Sequence, residues 1–365
     1  MATRRSGRAQ DRIEQICRGS WDDRSLRVEL VRELGLHLPF DAHVWLLTDP
    51  ATRVGVSPVA TVPGLPWSRL PELTRLRYLT TANRWTALLA EGRPVSSVAL
   101  HGDGDTWSAM LGDLGVVDVA TVVFPDRFGC WGWLDLWRTT PRLPFAREEL
   151  DLLAAVRPTL TTALREAQAA TFHEEPTTDA PFGPAVLVLG PELDVRTQTH
   201  GASTHLARIN PPDPSSAAPV AAIPAAAYNV AAQLLAREQG IDDAPARARV
   251  HLGRGRWVTV MADRMAAIDH DRADIAVSME ETTAADRCDL FSRTHAMTAR
   301  EDEVLRLLVS GSDTRAVAAE LFLSEHTVND HVKAVLAKSG LTGRQALLAR
   351  VAGASAPLRP PRPPG

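Results

Sequence analysis

Asn329, Asp330 and Lys333 bring three kinds of hydrogen-bonding group into five residues of a 365-residue chain. A carboxamide can pair bidentately with adenine, an ammonium donates to guanine, and a carboxylate accepts from the cytosine amino group. Each good pair discriminates by about 1–3 kcal/mol. Asp330 has a second use, which is to restrain the neighbouring Lys333. Ser324 and Thr327 precede the trio with hydroxyls, and Lys338 and Arg344 follow with cations of the kind that meet backbone phosphates. The chemistry these residues suit is recognition of double-stranded DNA rather than bond making.

Lysine is otherwise absent. Of 40 Lys+Arg residues only Lys333 and Lys338 are lysine. A nucleotide loop of the Gly-Lys-Ser/Thr kind therefore cannot be placed anywhere. A phosphoryl-receiver site lacks the lysine it needs, and Asp22-Asp23 stands in a helical rather than a strand-end setting.

The DNA-facing side chains must project from a helix. Thr298-Ala299-Arg300-Glu301 is a capping box, worth about 1 kcal/mol for the cap alone. Val304, Leu305, Leu307 and Leu308 give the helix behind it an apolar face, and Gly311 suits a left-handed stop. Asp313 caps a second helix, 314–321, which turns Val317, Ala318 and Leu321 inward. Phe322 and Leu323 make the turn, and Ser324 caps a third helix. Val328, Val332, Val335 and Leu336 recur at i, i+4, i+7 and i+8 and dock that helix. Asn329, Asp330, Lys333 and Ala337 then face the other way, as a recognition helix requires.

This pattern resembles the LuxR-type (FixJ-like) DNA-binding domain over Met297 to Val351. The matching positions are Thr298-x-Arg300-Glu301-x-Glu303-Val304-Leu305, Gly311, Ala318-x-x-Leu321-x-Leu323-Ser324-x-x-Thr327-Val328-x-x-His331-Val332-x-x-Val335-x-x-Lys338-x-Gly340, and Arg344. The resemblance implies an all-α four-helix helix-turn-helix domain of a bacterial transcriptional regulator. It implies that the third helix enters the major groove, that Thr327, Lys338 and Arg344 lie near phosphates, and that a fourth helix, 343–350, can mediate dimerisation. RNA polymerase is a candidate partner on the same ground. Asn329 departs from the lysine or glutamine commonest there, which alters base preference. Gly343 replaces the usual serine cap, a small loss because glycine is tolerated at that position.

Charge sets a condition on binding. Over 294–353, Arg300, Arg306, Arg315, Lys333, Lys338, Arg344 and Arg350 are matched by Glu301, Asp302, Glu303, Asp313, Glu320, Glu325 and Asp330. A neutral module holds DNA weakly by itself. A homodimer presenting two half-sites is therefore expected.

The rest of the chain, at 45% hydrophobic and 23% charged, is long enough for two or three domains. A net charge of −4 excludes coating of nucleic acid or membrane by bulk charge. Cys17, Cys130 and Cys288 form neither a disulfide framework nor a zinc ribbon. The polar stretch 6–12 replaces an export signal's apolar region, and no run approaches 18 apolar residues. A cytoplasmic protein without membrane contact is expected.

Eight of the nine tryptophans fall in the first 137 residues. There, 24–35 reads as a helix, 42–47 and 54–62 as strands, 70–90 as helical and 107–114 as a short helix. A strand pair, 117–124 and 130–138, and a long amphipathic helix, 148–168, complete an α+β order with an antiparallel sheet. This order resembles a GAF sensor domain over roughly 20–170. Phe172 to Pro184 reads as a linker. Strands at 185–189 and 193–199, a loop at 210–225, a helix at 226–238 and strands at 247–252, 256–262 and 274–279 resemble a PAS-type domain, with a ligand-free connector as the alternative. No internal repeat is visible.

The expected fold is multidomain: an N-terminal helix and α+β GAF-like domain over 1–175, an α+β PAS-like or connector domain over 181–282, an all-α LuxR-type module over 290–353, and a disordered, proline-rich tail over 354–365.

Alternation along 130–137 places Trp131, Trp133, Asp135 and Trp137 on one strand face. They could line a pocket for an unidentified small-molecule effector, or form a plain sheet face covered by the long closing helix. The tryptophan and tyrosine set of acyl-homoserine-lactone sensors does not align, Tyr78 and Tyr228 being the only tyrosines. His101-Gly102-Asp103-Gly104-Asp105, Asp269-His270-Asp271 and His173-Glu174-Glu175 lack the spacing of metal sites. No metal and no cofactor is expected. Cys130 with Cys17 supplies the enzyme alternative, a thiol-based methionine sulfoxide reductase. The expected function is not enzymatic but sequence-specific transcriptional regulation by a sensor-controlled dimer. The alternative is a protein-interaction regulator with degenerate sensor domains and secondary DNA binding.

Overall fold

A computed structural model describes residues 2–19, 21–100, 105–174, 183, 185–209, 224–266 and 273–353. The acidic turns at 101–104 and 269–271, most of the loop at 210–225, most of the expected linker, and the tail lie outside them. Two compact units result. Of the described residues, the first takes in those within 2–167, 183–250 and 258–280, and the second those within 168–174, 251–257 and 281–353.

The chain opens with α1 (Ala2–Cys17), α2 (Asp23–His37), β1 (Ala42–Thr48), β2 (Gly55–Thr61), α3 (Leu70–Leu79), α4 (Trp85–Ala90) and β3 (Val95–Ala99). It continues through α5 (Thr106–Asp113), β4 (Val116–Asp126), β5 (Gly129–Thr139) and α6 (Arg147–Ala170). The five strands form one antiparallel sheet in the order β2-β1-β5-β4-β3. This is an α+β arrangement around an antiparallel sheet, as the element order led us to expect. Asp22 caps α2 by accepting from the amides of Arg24 and Ser25, which accounts for its helical setting.

The expected helix over 70–90 is in fact two. After Leu79 the Thr80 hydroxyl accepts from the Ala82 amide, and Asn83 turns left-handed with φ 52°. Its carboxamide donates to the Ser96 and Val119 carbonyls. Side chains that offer the backbone other bonds interrupt a helix in this way. One further element escapes the periodicity. β3 is a half-buried edge strand whose Ser96-Ser97 breaks the apolar alternation. At the N-terminus, α1 buries Ala9, Ile13 and Ile16 behind a charged face.

The second sheet follows with β6 (Ala185–Leu189), β7 (Val195–Gln198), α7 (His200–Ile209), α8 (Ala225–Glu238), β8 (Arg247–His251), β9 (Trp257–Arg264) and β10 (Ile275–Glu281). Its order is β7-β6-β10-β9-β8. Counted from its own first strand, it repeats the order of the first sheet. The repeat lies in topology alone, which is why no sequence period betrays it.

Asp49, at the Asp49-Pro50 turn after β1, receives Arg249 of β8 as a two-pronged pair, at 2.7 Å from Nε and 2.8 Å from Nη2. The Arg249 amide adds a third bond. Both side chains are buried. A second buried pair, Arg84 with Asp242, lies 3.0 Å apart. Burial pushes the thiols up, to about 12 for Cys17 and Cys288 and in the same direction for Cys130. The thiolate that sulfoxide reduction would use is disfavoured at each.

The second unit contains α9 (Ala284–Thr294), α10 (Ala299–Val309), α11 (Thr314–Leu321), α12 (Glu325–Ser339) and α13 (Arg344–Ala352). Phe172, expected in a linker, is instead buried. Its ring stacks on Trp257 at 5.6 Å, meets Phe291 edge-on at 5.3 Å, and joins a core with Met297, Leu305, Val335, Leu347 and Val351. Arg287 of α9 donates to the carbonyls of Gly255, Arg350 and Val351. No described helix is long and apolar enough to cross a membrane.

Candidate nucleic-acid interface

Local signals set the helix ends of this module. Thr298 accepts from the Glu301 amide while the Glu301 carboxylate takes the Thr298 amide, closing the capping box. Asp313 caps α11 through the Ala316 amide, and Ser324 caps α12 through the Thr327 amide. Between them Phe322 adopts φ 54° and ψ 45° and is 95% exposed. A bulky residue there bears the steric cost of the left-handed turn without burying anything in return. Gly343 caps α13 in an extended conformation with no side-chain bond.

Val328, Val332 and Val335 are buried, whereas Asn329, Asp330, Lys333 and Ala337 face solvent. α12 packs through the first stripe against α10 and α11 and leaves the second free for a partner. Asp330 Oδ1 accepts from Lys333 Nζ at 3.0 Å, and its Oδ2 lies 3.4 Å from His326 Nε2. The Lys333 bond, with the positive charge around it, holds the Asp330 carboxyl below its ordinary range. His326, one turn before Asp330, extends the exposed stripe. The i, i+4 spacing was available to find it.

The luxR-family model of bacterial regulatory proteins matches residues 295–351. Spore germination protein GerE of Bacillus subtilis (strain 168) is 43% identical over 54 residues, 15% of this chain and 73% of GerE. The chain belongs to the luxR family. Its C-terminal module is therefore a DNA-binding regulator domain. Among solved structures, the GAF domain/HD domain protein from Geobacter sulfurreducens is 18% identical, with TM-score 0.31 over 41% of this chain and 97% of that one. Escherichia coli SdiA is 13% identical, with TM-score 0.30 over 95% and 97%.

In this luxR-family module two expected phosphate contacts have partners inside the protein. Lys338 Nζ donates to Glu301 Oε2 at 2.6 Å and to the Ala296 carbonyl at 3.1 Å. Arg344 donates to Thr314 Oγ1 at 2.9 Å and to the Ser312 carbonyl at 3.2 Å. Lys338 thus braces the capping box, and Arg344 ties α13 to the start of α11. Thr327 also spends its hydroxyl on Ser324, at 2.8 Å.

Lys338→Ala is accordingly expected to destabilise the module by on the order of 1 kcal/mol. Burial pushes the Glu301 carboxyl up, but the bonds from Lys338 and the Thr298 amide outweigh it and hold the pKa low. The bridge is thus fully stabilising above about pH 4.3 and is lost as the pH falls through the depressed value. Thermal unfolding followed from pH 7 to pH 3 should show the variant losing less stability on acidification than the parent. Equal losses would mean that the bridge contributes nothing.

The tryptophan face has a different lid from the closing helix. Asp135 accepts from Arg77 of α3, at 2.8 Å from Nε and 3.2 Å from Nη2, and from Thr121 Oγ1 at 2.6 Å. The Arg77 guanidinium lies over the rings of Trp85, Trp107 and Trp133, so α3, α4 and α5 supply the cover. Trp131, Trp133, Asp135 and Trp137 are all buried.

Proposed function

We propose that the chain is a sequence-specific transcriptional regulator in which the α+β unit governs how the luxR-family module meets an operator. The observation that carries the reading is the division of α12 into a buried valine stripe and a free stripe of Asn329, Asp330 and Lys333. Asn329 reads adenine and Lys333 guanine. Ser324, Thr327, Lys338 and Arg344 first hold the shape of the recognition element and reach phosphate with the donors they have left. The protein works in the cytoplasm, with RNA polymerase as the partner that converts operator occupancy into output. The second sheet, PAS-like in element order, serves with the first as the sensory half.

A dimer belongs to the proposal because the module is charge-neutral, so one copy gains little from phosphate contact. An effector shifts the protein only through unequal affinity for the dimer's DNA-competent and incompetent arrangements. An operator chosen by repeated selection from random DNA is expected to be two-fold symmetric, with half-site centres one helical turn or a multiple of it apart. Sedimentation of the complex is expected to show two chains per duplex. One chain per duplex on an asymmetric site would end the dimer proposal.

A further inference from the structure

The face of β5 that carries Asp135 buries four donors that find no acceptor among the described residues: Arg77 Nη1 and the indole Nε1 of Trp107, Trp133 and Trp137. None of the four residues is more than 4% exposed. They are neighbours. Arg77 Cζ lies 4.9 Å from the Trp107 ring centroid and 5.1 Å from that of Trp133. Trp137 stands two residues beyond Asp135 on the same strand face, about 7 Å along, and shares a buried cluster with Trp107. Trp45 and Trp131 also carry unpartnered indoles, but Trp45, opposite Leu134, belongs to the other face, and Trp131 stands at the start of the strand.

Buried donors almost always have partners, so four together mark a place where an acceptor arrives from outside. Asp135 does not take them: its three bonds come from Arg77 Nε, Arg77 Nη2 and Thr121 Oγ1. Water fits poorly, because each molecule brings two protons of its own to a neighbourhood already rich in them. Charge narrows the class. Arg77 and Asp135 neutralise each other, so an anion beside them would stay uncompensated in a buried setting, whereas a neutral oxygen would not. The rings of Trp85, Trp107 and Trp133 surround the Arg77 guanidinium, and half-buried Leu65, Val98, Leu100 and Leu114 pack against the cluster.

Resting on the sensory role proposed for this unit, we infer that it binds a small neutral aromatic carbonyl compound whose oxygen accepts from Arg77 Nη1 and the surrounding indoles. The test uses the full chain labelled with nitrogen-15 at tryptophan, with the indole signals of Trp107, Trp133 and Trp137 assigned through Trp→Phe variants. Acetophenone, ethylbenzene and benzoate are the probes: the same ring with a neutral acceptor, with none, and with an anionic one. Acetophenone is expected to shift these three signals saturably, with ethylbenzene and benzoate each at least about tenfold weaker. Trp107→Phe should cost acetophenone about tenfold while leaving ethylbenzene unchanged. If that variant fails to fold, the three probes on the parent protein still decide. Equal binding of acetophenone and ethylbenzene, or tighter binding of benzoate, would overturn the ligand class and leave the sensory role standing. If no probe moves the three signals, the site is refuted, and the sensory role of this face with it.

Discussion

Asn329→Ala combined with Lys333→Ala is expected to lower affinity for the selected operator by about a hundredfold or more, with affinity for random DNA changing far less. Each side chain is exposed on the free stripe of α12, so its loss leaves the core of the module intact. A good side chain to base-edge pair is worth about 1–3 kcal/mol of discrimination, and two such pairs account for the loss. Lys333 is not idle without DNA, because it is held by Asp330. Part of its binding energy goes into leaving that partner. Asp330→Ala should therefore raise binding to random DNA severalfold, by freeing Lys333 and removing a negative charge that faces phosphate. Fluorescence anisotropy with matched and single-base-changed duplexes checks both. Equal losses on operator and random DNA would place Asn329 and Lys333 on the backbone rather than on the bases.

Asp49→Ala should have the largest effect on stability, a loss of about 3–5 kcal/mol, because it removes a fully buried carboxylate that accepts from the Arg249 amide and from two nitrogens of its guanidinium. Burial alone would raise the Asp49 carboxyl. The Arg249 bonds and charge, with the Arg249 and Ala51 amides, outweigh it and hold the carboxyl below its ordinary range. The pair's stabilisation is therefore complete above about pH 3.9 and disappears as the pH falls through the depressed value. Urea unfolding at neutral pH measures the loss. A variant within 1 kcal/mol of the parent would show that Asp49 does not organise this unit. Replacing both partners together, Asp49→Leu with Arg249→Met, is expected to recover only part of the stability, since an apolar pair can replace the ion pair but leaves the Ala51 and Arg249 amides without their acceptor.

The helix-turn-helix was legible because its signals are local. Thr298, Asp313 and Ser324 mark starts, Gly311 and Gly340 mark stops, and the valine stripe assigns the buried face, so the helix ends agree within about two residues. Partners distant in sequence were not legible. Lys338 and Arg344 read as phosphate cations because nothing near them announces Glu301 and Thr314. The break after Leu79 depends on carbonyls of β3 and β4 that Asn83 reaches only in the folded sheet. Phe172 and Trp257 looked like linker and strand residues, yet each completes a core built from segments far apart along the chain. Alternation groups the tryptophans of β5, but the lid over them required the fold, since Arg77 lies 58 residues from Asp135.

Operator binding by the full chain as a function of salt tests the central claim most directly. Recognition by two copies of α12 predicts affinity for the selected operator at least about 10³ times that for random DNA at physiological salt, with log K falling linearly as log[salt] rises. It further predicts that the operator preference, but not the salt slope, collapses in the Asn329→Ala, Lys333→Ala protein, save for about one unit of slope. A parent protein with no preference among sequences at any salt concentration would contradict the account.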